Sequence, residues 1–299
     1  MPSRRVLIFA NPTSGRGRGT GIARKLQPVL AENGWTVDTF LQHPQKLREI
    51  PNAASIAAMI VIGGDGTLRA VIERVMELVG ADNVPPVLVM GLGTANLMQQ
   101  HLKLRYRRVG LEQDVMELLE ARKTVKVDTA VAGRSLFLLM ASCGFDSSVV
   151  KRLAAGRTGP ITKLSYVTPI LASLHDYDFP PLTVEVDGQI VHDNQPAQVY
   201  VGNVPEYGTG FPVLDLASSF DQRLDICVMP CQTRNDLIRL SMLTLVGKHR
   251  DASGVIYTTG RDVRITSDLP VPIQVDGDDA GTTPVHIHLL DTSVAFIVR

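Results

Sequence analysis

Three short segments of the chain combine glycine with hydroxyl or amide side chains: Asn11-Pro12-Thr13-Ser14-Gly15, Gly63-Gly64-Asp65-Gly66-Thr67 and Gly93-Thr94-Ala95-Asn96. Each follows an apolar run. Glycines let main-chain N–H groups come close to an anion, and successive N–H groups form a concave nest for phosphate oxygens. Thr13, Ser14, Thr67 and Thr94 add hydroxyl donors, and a helix starting after Thr67 would aim its positive end at the same place. Such an array suits the binding and transfer of a phosphoryl group, where positioning and neutralisation of negative charge matter more than covalent assistance. A lone carboxylate, Asp65, stands among these donors. Two more, Asp276 and Asp278, flank Gly277 in the late turn Val275-Asp276-Gly277-Asp278-Asp279.

The elements that must hold these loops follow from hydrophobic periodicity. Residues 6–10, 57–62 and 87–90 are near-continuous apolar runs, as expected for strands covered on both faces of a parallel sheet. Between them lie helical stripes: Ile22, Leu26, Val29 and Leu30, with Pro28 expected to kink or shorten that helix; Leu68, Val71, Ile72, Val75, Met76 and Val79; and Leu111, Val115, Leu118 and Leu119. Strand–helix alternation implies right-handed crossovers in an open, mostly parallel α/β sheet. Ligands bind such sheets outside the carboxyl ends of the strands, so the three glycine loops should converge on one crevice.

From about residue 127 the rhythm changes to short alternating segments, including "LTVEVDGQIV" with its Asp187-Gly188 turn signal. Further strands are expected in "AQVYVGN", "LDICVMP", "DVRITS", "PIQVDG", "VHIHLL" and "VAFIV", with one helical insertion near residues 161–175. This half reads as a mostly β, sandwich-like domain, giving two domains, 1–126 and 127–299.

Composition narrows the function. Thirty Lys plus Arg against thirty Asp plus Glu leave no formal net charge, which argues against a nucleic-acid partner held by general attraction. Cys143, Cys227 and Cys231 match no zinc spacing and fit reduced thiols in a cytoplasm. The apolar run after Arg4 and Arg5 is too short for a signal peptide or a membrane span and reads as a first strand. The common nucleotide motifs G-x-x-x-x-G-K-[ST] and G-x-G-x-x-G are not completed.

"NPTSG", "GGDGT" and "GTAN", in this order and spacing, resemble the catalytic domain of the diacylglycerol kinase family, particularly the bacterial soluble lipid kinases, relatives of sphingosine and NAD kinases. The resemblance continues through "SCGFDSSVV", "VGNVPEYGTGFPVLDLASSFDQRLDICVM" and "QVDGDDAG", so it covers nearly the whole chain. It implies a nucleotide-binding α/β domain, a β-rich second domain and ATP in the cleft between them, an NAD kinase/diacylglycerol kinase-like fold. The activity implied is Mg²⁺-dependent transfer of the γ-phosphoryl group of ATP to the hydroxyl of diacylglycerol or a related lipid, as in phospholipid biosynthesis. The alternatives are an NAD kinase-like enzyme, sharing "GGDGT", and a nucleotide-binding sensor without turnover.

Carried over by resemblance, Asn11, Pro12, Thr13, Ser14, Gly15, Gly63, Gly64, Asp65, Gly66, Thr67, Leu68, Arg69, Thr94 and Asn96 would bind ATP. Asp65 would orient ATP or act through a metal or as base. Asp221, with main-chain oxygens of Ser218 and Arg223, would match the family's Mg²⁺ site, and Asp278 its proton acceptor from the lipid hydroxyl, with Asp276 beside it as an alternative. The sequence departs from the family at Asp278, where a glutamate is usual, at Arg69-Ala70 in place of Asn-Glu, and at "GTANLM" in place of "GTANDFA". The expected partner is a lipid at a membrane surface, reached from the cytoplasm; peripheral contact at the inner membrane face through residues 151–175, and a homodimer, both fit this reading. Asp128 is expected to serve as a structural hydrogen-bonding residue near the domain junction.

Overall fold

The computed structural model describes residues 4–12, 17–155, 173–208 and 210–299. Thr13, Ser14 and Gly15 of the first loop, and residues 156–172 of the segment expected at the membrane, lie outside the described residues. The chain divides into two compact units, Met1–Val127 with Thr292–Arg299, and Asp128–Asp291.

In the first unit, β1 (Arg5–Ala10), β2 (Thr36–Phe40), β3 (Ile56–Gly63) and β4 (Val87–Gly91) pair in parallel in the order β2-β1-β3-β4. The apolar runs behind β1, β3 and β4 are buried almost throughout, as expected for central parallel strands. The edge strand β2 has no such run, and its Thr-Val-Asp-Thr-Phe sequence concealed it. Helices α1 (Arg18–Glu32), α2 (Asp65–Val79), α3 (Leu97–His101) and α4 (Leu111–Ala121) complete the unit. The core face of α2 buries Leu68, Val71, Ile72 and Val75. Pro28 does not shorten α1, which runs on to Glu32; the proline lies on the exposed side of the helix, where a carbonyl left unpaired is open to solvent and costs less than in the core.

The second unit is built from β5 (Thr124–Ala132), which enters it at Asp128, and β6 (Ser135–Phe137), β7 (Met140–Cys143), β8 (Pro181–Val186), β9 (Gln189–Gly202), β10 (Leu224–Pro230), β11 (Ile256–Gly260), β12 (Asp262–Thr266), β13 (Pro272–Val275), β14 (Asp278–Thr282) and β15 (Val285–Ile297). Strand β9 belongs to two layers: its first half pairs with β8, which continues to β12 and β15, and its second half pairs with β7 and β10. Alternate residues fill the core, as with Leu182, Val184 and Val186 of β8 or Leu224, Ile226 and Val228 of β10. The Asp187-Gly188 turn forms between β8 and β9, both residues at positive φ.

Two helices of this unit, α5 (Phe145–Ala155) and α6 (Arg234–Leu245), were not read from the sequence. In α6 the apolar residues occupy two faces, which blurs the 3.6-residue period. The last residues, 292–299, return to the first unit, which a single division at 126/127 does not convey. Phe296 pairs with Val87, and Arg299 holds the buried Asp114 at 2.8 Å.

Candidate active site

The carboxyl ends of β1, β3 and β4 are neighbours in the first unit, and the glycine loops that leave them are tied to one another. Gly63 of β3 stands opposite Gly91 of β4, and the Leu92 N–H donates to the Gly63 carbonyl at 2.8 Å. Beyond them the two loops touch main chain to main chain. A Cβ on Gly93 would lie 2.8 Å from the Gly64 Cα, closer than carbon atoms pack, so Gly93 is needed for the approach itself. The first loop joins through Asn11, whose N–H donates to the Ile62 carbonyl at 3.4 Å and whose side-chain amide donates to the Thr67 hydroxyl at 3.3 Å.

Asp65 is the first residue of α2, but its carboxylate works on the neighbouring loop. Oδ2 accepts the Leu97 N–H at 3.0 Å and Oδ1 the Met98 N–H at 3.1 Å. These are the first two N–H groups of α3, which its own cap residue, Asn96 in the left-handed conformation, leaves unbonded by a side chain. Asn96 instead closes the turn, its Oδ1 accepting the Gly93 N–H at 2.6 Å and its amide donating to the Gly93 carbonyl at 3.0 Å. The lone carboxylate among the glycines therefore fastens one loop to the next. Burial raises its pKa above the ordinary carboxylate value, and the main-chain N–H donors of Leu97 and Met98 offset part of that rise.

The N-termini of α1 and α2 follow the first two loops, and neither has a side-chain cap: Gly17 and Gly64 occupy the cap positions. Such helix ends are ready acceptors of anionic charge. Thr94 is exposed, whereas Leu68 turns its side chain into the core and donates its N–H to the Gly64 carbonyl at 3.0 Å.

In the second unit, the two aspartates of the late turn have different surroundings. Asp276 and Gly277, both at positive φ, make the two-residue turn between β13 and β14. The Asp276 carboxylate accepts three main-chain N–H groups at 3.0 Å, those of Leu138, Leu139 and Met140, and so anchors the turn to the link between β6 and β7. Asp278, the next residue but one, is exposed at the start of β14. Behind the turn runs a buried polar chain that motif reading missed. The Gly277 N–H donates to Gln274 Oε1 at 2.8 Å, Gln274 Nε2 donates to Ser142 Oγ at 2.8 Å, and the Ser142 hydroxyl donates to Asp146. Burial is the main cause of the Asp146 carboxyl being pushed up to about 6. The signal in the sequence was a glutamine between Ile273 and Val275 in an otherwise apolar strand.

The segment 218–223 is held by Asp128, whose N–H donates to the Ser219 carbonyl at 2.8 Å and whose carboxylate accepts the Gln222 N–H at 2.7 Å and the Gln222 side-chain amide. Asp221 Oδ1 accepts the Arg223 N–H at 3.1 Å. Nearby Asp225, bonded by the Tyr257 hydroxyl at 3.0 Å, has its pKa raised by burial and further by the charges of Asp221 and Asp215. Among the described residues no three His, Cys, Asp or Glu side chains gather as a metal-ligand set.

Comparison with known proteins matches residues 5–132 to the family described as the diacylglycerol kinase catalytic domain, and residues 140–298 to that described as the YegS C-terminal NAD kinase beta sandwich-like domain. The chain belongs to the diacylglycerol kinase family. The diacylglycerol kinase of Mycobacterium tuberculosis strain H37Rv is 25% identical over 291 residues, covering 95% of this chain and 91% of that protein. The diacylglycerol kinase of Bacillus subtilis strain 168 is 22% identical over 307 residues, covering 96% of each. A solved structure described as a diacylglycerol kinase from Bacillus anthracis strain Sterne superposes with a TM-score of 0.69 at 20% identity, covering 100% of this chain and 98% of that one. That likeness bears on the fold, an α/β unit with a parallel sheet followed by a sandwich-like β unit. As a diacylglycerol kinase family member, the chain has its three glycine loops at neighbouring strand ends, with two of its conspicuous carboxylates, Asp65 and Asp276, engaged in holding main chain.

Proposed function

We propose that the protein is an ATP-dependent lipid kinase that transfers the γ-phosphoryl group to the hydroxyl of diacylglycerol or a related lipid. The observation that carries this reading is the interlock of the "GGDGT" and "GTAN" loops beside two uncapped helix N-termini in a chain of this family. Main-chain N–H groups of residues 63–67 and 94, with the hydroxyls of Thr67 and Thr94, Asn11 and the first loop through Gly15, bind the triphosphate. Arg69, one turn into α2, adds positive charge. Asp65 acts as a positioning residue, fixing the "GTAN" loop rather than touching the reacting atoms. Asp278 accepts the proton of the lipid hydroxyl, its side chain being exposed and, unlike that of Asp276, not spent on shaping the turn.

Magnesium fits the oxygens of segment 218–223. Asp221 and the carbonyls of Ser218 and Arg223 suit a hard cation, and the charge of Asp221 helps to raise the pKa of Asp225 beside it, which a divalent ion would offset. Bound there, the ion would supply charge neutralisation. The chain's own contribution is to hold the segment in shape through Asp128.

The test is transfer of labelled γ-phosphate from ATP to a panel of lipids, with NAD as a competing acceptor. Lipid phosphorylation is expected, and Asp278→Ala should lower kcat by about 10²-fold to 10⁴-fold while leaving the KM for ATP in place, as loss of a general base does. Transfer to NAD alone, or ATP binding with no turnover on any lipid, would contradict the reading.

A further inference from the structure

Helix α6 buries one apolar face and exposes another. Leu237, Leu240 and Thr244 face the core, whereas Ile238, Met242, Leu245 and Val246 stand 51%, 60%, 55% and 63% exposed. At 100° per residue the first three exposed side chains fall within one narrow stripe, with Val246 at its edge. Of the nine exposed large hydrophobics among the described residues, three thus lie on one face of α6 and a fourth, Val246, is its C-cap, while singly scattered ones call for no explanation. The charge around the stripe is mostly positive. Segment 234–251 holds Arg234, Arg239, Lys248 and Arg250 against two acids, Asp236 and Asp251, in a chain of zero formal net charge. Asp236 is consumed in the capping box with Thr233, and Arg250 is turned toward Asp215 at 2.9 Å. Arg239 flanks the stripe and Lys248 follows it, both exposed.

We propose that the exposed face of α6 is the surface by which the protein docks on an anionic membrane, the apolar stripe entering the boundary between headgroups and acyl chains and the cations meeting lipid phosphates. The partner is chosen by chemistry: a shallow apolar stripe edged with Arg and Lys is the pattern of helices that lie in the membrane interface. The inference rests on the lipid kinase reading, since it locates where a membrane-held acceptor is approached. It differs from the expectation at residues 151–175, most of which lie outside the described residues.

The experiment measures flotation of the intact protein with vesicles of phosphatidylcholine alone and of phosphatidylcholine with phosphatidylglycerol. The wild type should bind the anionic vesicles, and the Ile238→Ser/Met242→Ser/Leu245→Ser variant should bind at least about tenfold more weakly, with its thermal midpoint nearly unchanged because these side chains are already in water. An Arg239→Gln/Lys248→Gln variant should lose its preference for anionic over neutral vesicles. Wild-type protein that fails to bind, or serine variants that bind as well as wild type, would overturn the proposal. So would a dimer that the serine variant converts to monomer, since the stripe would then be covered by a second copy. Phosphate transfer to a short-chain, water-soluble diacylglycerol separates the two ideas: the serine variant should keep it, and its absence in wild type that binds vesicles would sink the kinase reading and not this surface.

Discussion

Asp146 carries a carboxyl that has been taken out of water, with Oδ1 shielded from solvent and the Ser142 hydroxyl donating to its partner oxygen. Burial disfavours the charged form, and the residue titrates near 6. The consequence for stability has a definite sign. In the folded chain Asp146 still holds its proton at a pH where the unfolded chain has released it. The stability this lends is present below about pH 4 and is lost as pH rises through 6. Asp146→Asn, which keeps the shape and removes the ionisation, should therefore gain on wild type between pH 4 and pH 7, by up to about 3 kcal/mol from a shift of roughly two pKa units. Chemical denaturation of both proteins across that range reads the difference. A gap that stays constant with pH would show that Asp146 ionises as freely folded as unfolded. Asp278 follows the same turn that this buried chain supports and is exposed.

At the scale of elements, the candidate site is a set of fastenings between loops. Asp65 begins α2 and bonds the first N–H groups of α3, so Asp65→Asn replaces a two-oxygen anion by a side chain with one acceptor oxygen and an amide turned toward an N–H. The loss should be about 1–3 kcal/mol of stability, typical of a charge-assisted hydrogen bond left unmade, together with weaker ATP binding. Thermal unfolding and ATP titration check it, and an unchanged midpoint would show that the fastening is unimportant. The strands that carry these loops were legible because β1, β3 and β4 are buried on both faces and read as unbroken apolar runs. The loops were legible because Gly63, Gly64 and Gly93 stand at their ends. What the sequence concealed was the direction of side chains: nothing in "GGDGT" says that Asp65 points at the following loop, or in "VDGDD" that Asp276 faces three N–H groups while Asp278 is exposed. Edge strand β2 and helix α6 escaped for a related reason, since each departs from a one-sided apolar pattern.

For the whole molecule, the two family matches span residues 5–132 and 140–298, and each unit has its own core and its own part of the proposed chemistry. None of the described helices is long and apolar enough to cross a membrane. The account depends above all on amides from separate loops of the first unit serving one nucleotide. Hydrogen–deuterium exchange with and without ATP measures this directly. Slowed exchange is expected on ATP addition in residues 11–17, 63–67 and 93–98 together, at one ATP concentration dependence. Protection confined to a single loop, or appearing elsewhere while these three are unchanged, would contradict it.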